Sequence, residues 1–95
     1  MSLRPSSKPA AVLEQRTANI PLFKVLLHND EVNSMEHVVH ALMNVFKFER
    51  SVCERIMLEA HRSGVALCTV EPLEQAELHR DQLASFSLTA TIERE

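Results

Sequence analysis

Leu22-Phe23-Lys24-Val25-Leu26-Leu27-His28-Asn29-Asp30-Glu31-Val32-Asn33-Ser34-Met35-Glu36 changes period half-way along, and that change decides the fold. Up to His28, the residues Phe23, Val25 and Leu27 alternate with Lys24, Leu26 and His28, the two-residue period of a strand. Leu26 on the second side implies partial cover on both faces. The polar run His28-Asn29-Asp30-Glu31 ends the strand. Asn33 with Glu36 three residues later then fits a capping box, with Asn as the cap. Behind it Met35, Val38, Val39, Leu42 and Phe46 fall on one apolar stripe of a helix.

The pattern continues in both directions. Ser51 with Glu54 offers a second capping box, opening a helix that carries Val52, Ile56, Met57 and Ala60 and stops at Gly64, a C-terminal cap residue. Val65 to Val70 is too short for a helix and rich in β-branched residues, so it reads as a buried strand. Pro72 suits a first helical position, followed by Leu73, Ala76, Leu83 and Phe86 at packing intervals, with Glu71, Glu74 and Glu77 near the positive end of that helix. Leu88, Ala90 and Ile92 alternate with Ser87, Thr89, Thr91 and Glu93 as a half-buried strand. The order β-α-α-β-α-β predicts an α+β fold: one small two-layer domain over residues 22–95, a three-stranded antiparallel sheet packed on three helices. Residues 1–21 have no apolar period, and Pro5-Ser6-Ser7-Lys8-Pro9 reads as part of a flexible N-terminal extension.

Composition excludes several classes of function. Arg4, Lys8 and Arg16 against Glu14 leave residues 1–20 at +2, and the whole chain at −3, so the folded part is acidic. A nucleic-acid partner is disfavoured, because phosphate binding needs a basic patch. No apolar stretch approaches the ~20 residues that cross a bilayer, and no membrane partner is expected. Cys53 and Cys68 read as small apolar residues on a helix and a strand, with a reducing cytoplasm as the default setting. No organelle transit peptide is evident in the first 20 residues, although an organelle stroma stays open.

Catalysis finds little support. A single glycine rules out a phosphate loop, and no Ser sits in a nucleophile elbow. His37, His40 and His61 could share a metal, but there is no HExxH and no CxxC, so neither a metal nor a cofactor is expected. His37 and His40 read instead as polar or boundary positions of their helix. What remains is Asn29 and Asp30 on a turn before a helix, with Met57 and His61 one turn apart on the next helix. A turn or cap role for Asn29 and Asp30, and core packing for the methionines, stay open at this level.

The stretch from Phe23 to Val38 resembles the ClpS adaptors, whose pattern is roughly K-V-x-L-x-N-D-D-x-T-P-M-E-x-V. Met57-Leu58-Glu59-Ala60-His61-Arg62-Ser63-Gly64-Val65-Ala66 is similar to that family's M-x-x-x-H-x-x-G-x-A, and Glu74-Gln75-Ala76-Glu77 to its E-x-A-E helix. The resemblance spans residues 22–93 without a gap. It implies a non-enzymatic adaptor for the Clp protease, one that holds proteins with a free α-amino group and a bulky first residue (Leu, Phe, Tyr or Trp) and delivers them to the N-domain of a ClpA- or ClpC-type unfoldase. By the same resemblance Asn29, Asp30 and His61 clamp the amine, and Glu31 and Asn33 stand near it at the pocket mouth. Met35, Val38, Met57, Ala60 and Leu88 form the side-chain pocket, while Glu74, Glu77 and His79 dock the unfoldase. The chemistry is consistent, since an ammonium offers three donors and no acceptor and needs converging acceptors, one preferably anionic.

The chain departs from the pattern at four of these places. Glu31 replaces a second Asp, Asn33 a Thr, Ala60 a larger aliphatic residue and His79 a Lys. Ala60 implies a wider pocket and larger guests. An alternative reading is a scaffold of the same fold that docks an AAA+ partner and binds no N-terminus.

Overall fold

The computed structural model describes residues 20–95; the extension expected over residues 1–21 lies almost wholly outside the described residues. The elements are β1 (Leu22–His28), α1 (Met35–Phe46), α2 (Arg50–Ser63), β2 (Val65–Pro72), α3 (Leu73–Ser85) and β3 (Ala90–Arg94). The three strands form one antiparallel sheet in the order β2-β1-β3, so β1 is central although first in sequence. Val25 and Leu27 point from β1 into the core, where they meet Val38, Val39 and Leu42 of α1, Cys53, Ile56 and Ala60 of α2, and Ala76 and Leu83 of α3. The three helices therefore cover one face of the sheet, as the order of elements predicts.

Several boundaries differ from the sequence reading by one or two residues, and each has a local cause. The cap of α1 is Ser34, whose hydroxyl accepts from His37 N at 3.1 Å, and not Asn33. Asn33 spends its side-chain amide elsewhere, on Asp30 and on the carbonyl of Ser87. The Ser51–Glu54 box does not form, because α2 already begins at Arg50 and Glu54 is held by the Arg50 guanidinium at 3.0 Å. Pro72 is extended and precedes the first helical residue of α3. Leu88 lies before β3 instead of within it, yet it is buried.

β2 is an edge strand with only its inner face covered, where a buried strand was expected. Ala66 and Cys68 are buried while Val65 and Leu67 are exposed, since β1 occupies the centre of the sheet. Leu26 pairs with Leu67 but Val25 with Thr69, so Cys68 is an extra residue, a β-bulge. The bulge inverts the alternation downstream and turns Glu71 toward the helices. There its carboxylate meets His79 of α3 at 2.6 Å, with the ring of Phe46 packed 4.8 Å from the imidazole.

Candidate functional site

The corner between α2 and β2 assembles the site. Gly64 ends α2 with φ 92°, a backbone conformation that a side chain disfavours, and its carbonyl accepts Asn29 N at 2.9 Å. One glycine thus brings the end of β1 against the last turns of α2, where Met57, Ala60 and His61 share a face at the i, i+3, i+4 spacing. Beside them runs the loop between α3 and β3. His28 N donates to Thr89 O at 3.0 Å, which sets Leu88 against the same corner.

Between these segments lies a cavity of about 260 Å³. Asn29, Asp30 and His61 line it, together with Glu31 and Asn33. Its apolar part comes from Met35, Val38, Met57, Ala60 and Leu88. All ten residues singled out for the amine, the mouth and the pocket therefore surround one space. Leu27, His28 and Ser34 also line it and were not foreseen. His28 ends a strand whose alternation marks it only as outward-facing, and Ser34 is visible in sequence only as a neighbour of the cap.

The polar rim is organised by the loop itself. Asp30 Oδ1 accepts Val32 N at 2.7 Å and Asn33 N at 3.2 Å, and Oδ2 accepts the Asn33 side-chain amide at 2.5 Å. The Val32 N–H above all, then the Asn33 side chain and backbone, hold the Asp30 carboxyl below its ordinary value of 3.8. The group is thus an anion throughout the neutral range. A carboxylate has about four lone-pair sites, so three internal bonds leave one free to accept from a ligand. Asn29 Nδ2 donates to Glu31 Oε2 at 3.2 Å, which leaves Asn29 Oδ1 without a donor among the described residues. His61 is exposed on the last turn of α2, and its ring has no hydrogen-bond partner among the described residues. An anion, an amide oxygen and an imidazole thus rim an apolar hole, which suits a cation carrying an apolar group.

Other candidate chemistry is not assembled. Among the described residues no three His, Cys, Asp or Glu side chains gather as a metal site, and no helix is long and apolar enough to cross a membrane. His40 is exposed, and His37 bonds the Phe86 carbonyl through Nε2 at 2.8 Å. Cys53 and Cys68 are free and buried; burial raises both thiols, that of Cys68 to about 12, so neither is an available nucleophile. Glu74 and Glu77 are exposed on α3, whereas His79 is largely shielded and committed to Glu71.

A family model described as ATP-dependent Clp protease adaptor protein ClpS matches residues 18–91. The chain belongs to the ClpS family. The ClpS adapter of Prochlorococcus marinus is 45% identical over 91 residues, covering 90% of this chain and 87% of the relative. A chloroplastic ClpS adapter of Chlamydomonas reinhardtii is 39% identical over 90 residues, covering 93% of this chain and 55% of that longer protein. Among solved structures, Agrobacterium tumefaciens ClpS2 bound to L-phenylalaninamide is 33% identical with a TM-score of 0.73, covering 79% of this chain and 98% of that one. ClpS proteins are adaptors of the Clp protease rather than enzymes, and this chain is one of them. The resemblance drawn from Phe23–Val38 and Met57–Ala66 is borne out, and with it the α+β fold.

Proposed function

We propose that the cavity receives the first residue of a polypeptide whose α-amino group is free, and that the chain delivers that polypeptide to a ClpA- or ClpC-type unfoldase. The observation that carries this reading is the division of one cavity into an acceptor-rich rim and an apolar interior. The α-ammonium would donate to the free lone pair of Asp30, to Asn29 Oδ1 and to a neutral His61 nitrogen. Its side chain would enter the space walled by Met35, Val38, Met57, Ala60 and Leu88. Glu31 and Asn33 stand at the mouth. A cavity of about 260 Å³ falls just below the ~300–1,000 Å³ of drug-sized sites, which fits one bulky side chain such as that of Leu, Phe, Tyr or Trp. Methionines at 35 and 57 can reshape around either an aliphatic or an aromatic guest. The ligand of the solved ClpS2 supports the reading: L-phenylalaninamide combines a free amine with a bulky apolar side chain.

The exposed carboxylates of Glu74 and Glu77, with His79 behind them, would form the surface that meets the N-domain of the unfoldase. Residues 1–21 would act as an extension outside the adaptor core of residues 22–95. The bacterial and chloroplastic relatives favour the cytoplasm or an organelle stroma as the setting.

The test is direct. A fluorescent peptide beginning with Phe is expected to bind, and the same peptide acetylated on its α-amine is expected not to, because acetylation removes the charge and two of the three donors. Equal binding of the two peptides, or binding of neither, refutes the proposal; the latter would favour a scaffold without a peptide site.

A further inference from the structure

The connection between α3 and β3 delivers Leu88 to the cavity, and its backbone is unusual. Ser87 has φ 67°, the left-handed region that residues other than glycine avoid. The N–H groups of Phe86, Ser87 and Leu88 turn back onto carbonyls of α3: Phe86 and Leu88 donate to Leu83 O, and Ser87 to Ala84 O. The carbonyls of Phe86 and Ser87 are taken by side chains from α1 and the loop before it. His37 Nε2 lies 2.8 Å from Phe86 O, and Asn33 Nδ2 donates to Ser87 O at 2.9 Å. The segment is therefore held in place by Asn33 of the cavity rim and by His37 of α1.

Asn33 differs from His37 in what else it holds. Its side-chain nitrogen also donates to Asp30 Oδ2, the carboxylate oxygen that still has a lone pair for a ligand. A primary amide carries two hydrogens on one planar nitrogen, so the two bonds can be made together and in fixed relation. Resting on the reading of the cavity as a site for an N-terminal residue, we propose that Asn33 is a positioning residue that couples the amine-binding carboxylate to the Leu88 wall, so that guest side-chain preference depends on it. An ammonium drawn onto Asp30 Oδ2 shifts the carboxylate, the rigid amide passes the shift to Ser87 O, and Leu88 follows by one peptide unit. A hydroxyl at position 33 has one hydrogen and must abandon one of the two links. The amine contact and the side-chain pocket would then act separately.

The experiment compares the full-length chain with Asn33→Thr, using peptides that differ only in a first residue of Leu, Phe or Trp, each with an acetylated control. Expected is retention of the free-amine requirement with a narrowing of the affinity ratio between guests by about fivefold, the scale of one neutral hydrogen bond. In a Leu88→Ala background the same substitution should leave the remaining guest ratios unchanged, because the wall through which Asn33 acts is gone. Wild-type chain that needs the free amine, with guest ratios identical in Asn33→Thr, overturns the coupling and leaves the site reading standing. A uniform loss across all guests also overturns it, since Asn33 would then serve the amine alone. Wild-type chain indifferent to acetylation overturns the site reading and the coupling together. If Asn33→Thr melts too low to assay, Asn33→Ser offers the same single hydrogen in less volume.

Discussion

Ala60→Leu tests the pocket by volume. Ala60 is 3% exposed, on the face of α2 that lines the cavity, so added side-chain atoms enter space that a guest would occupy. Leucine brings three more carbons. At about 0.8 kcal/mol for each buried methylene, a guest that reaches this depth forfeits about 2 kcal/mol, or roughly thirtyfold in Kd. Phe and Trp guests should bear the whole loss, whereas a Leu guest, shorter by several atoms, should lose a fraction of it. The unliganded protein has the opposite balance, because the new methyl groups fill a cavity instead of crowding a packed core. Its melting temperature should hold or rise, since overpacking would cost about 1–3 kcal/mol and a domain of this size loses about 4–8 °C per kcal/mol. Fluorescence anisotropy with peptides differing only in their first residue reads the first effect, and differential scanning calorimetry the second. Unchanged Trp affinity would show that the guest does not reach Ala60. A melting temperature lowered by more than about 8 °C would show that the space beside Ala60 is not available to a side chain.

Three further outcomes follow from His61, Asp30 and His79. His61→Leu should weaken peptide binding by about fivefold, because it removes one of the three acceptors that would meet the ammonium. His61→Gln, whose amide oxygen still accepts, should recover part of that affinity, while a His61→Leu chain that binds as tightly as wild type in an anisotropy titration would remove His61 from the amine site. Hydrogen bonds from Val32 and Asn33 hold the Asp30 carboxyl below 3.8, so the stability it lends is present above the unfolded value and is lost as pH falls through the folded-state one, which an acid titration by circular dichroism can follow. His79→Ala should cost about 1–3 kcal/mol, because Glu71, 14% exposed and 2.6 Å from the imidazole, would be left as a part-buried carboxylate without its donor. Thermal melts check it: replacing Glu71 and His79 together by Leu should recover most of the loss, and a silent His79→Ala would show the pair to be without weight.

The fold was legible where local pattern and tertiary role coincide. The alternation of Phe23, Val25 and Leu27, the stripe from Met35 to Phe46 and the stop at Gly64 each specify an element without outside help. The errors fall where neighbouring residues are equally good at a local task and a distant partner chooses between them. Asn33 and Ser34 can both cap a helix; Asp30 and Ser87 claim Asn33, so the cap passes to Ser34. Ser51 and Glu54 could have formed a box, but Arg50 takes Glu54 together with Glu36. The exposure of β2 depends on strand order, which a run of apolar residues does not encode. The inward turn of Glu71 depends on a bulge at Cys68 that no period marks. Of the candidate site, the acceptors were visible as residue types, yet their convergence came only from family resemblance. Leu88 is the clearest case, being buried outside any periodic element and placed by bonds to residues some fifty positions away.

The proposed function would place the two tasks of an adaptor at opposite ends of a single strand. β1 starts at Leu22, opposite Pro72, and ends at His28, opposite Val65. Glu71 pairs with Phe23 at the first end, where α3 begins and displays Glu74 and Glu77; the cavity lies at the other, beside Asn29 and Gly64. At about 3.3 Å per residue the seven residues of β1 put roughly 20 Å between the proposed docking surface and the proposed amine site. Charges at that separation are largely screened, because the Debye length in physiological salt is about 8 Å. A guest ammonium on Asp30 would therefore leave the carboxylates of Glu74 and Glu77 nearly unaffected. On the proposed reading the sheet would act as a rigid spacer between one end that holds a substrate and another that presents it. The coupling through Asn33 is of a different kind: it runs across the cavity, between groups that would touch the same ligand, and never leaves the substrate end.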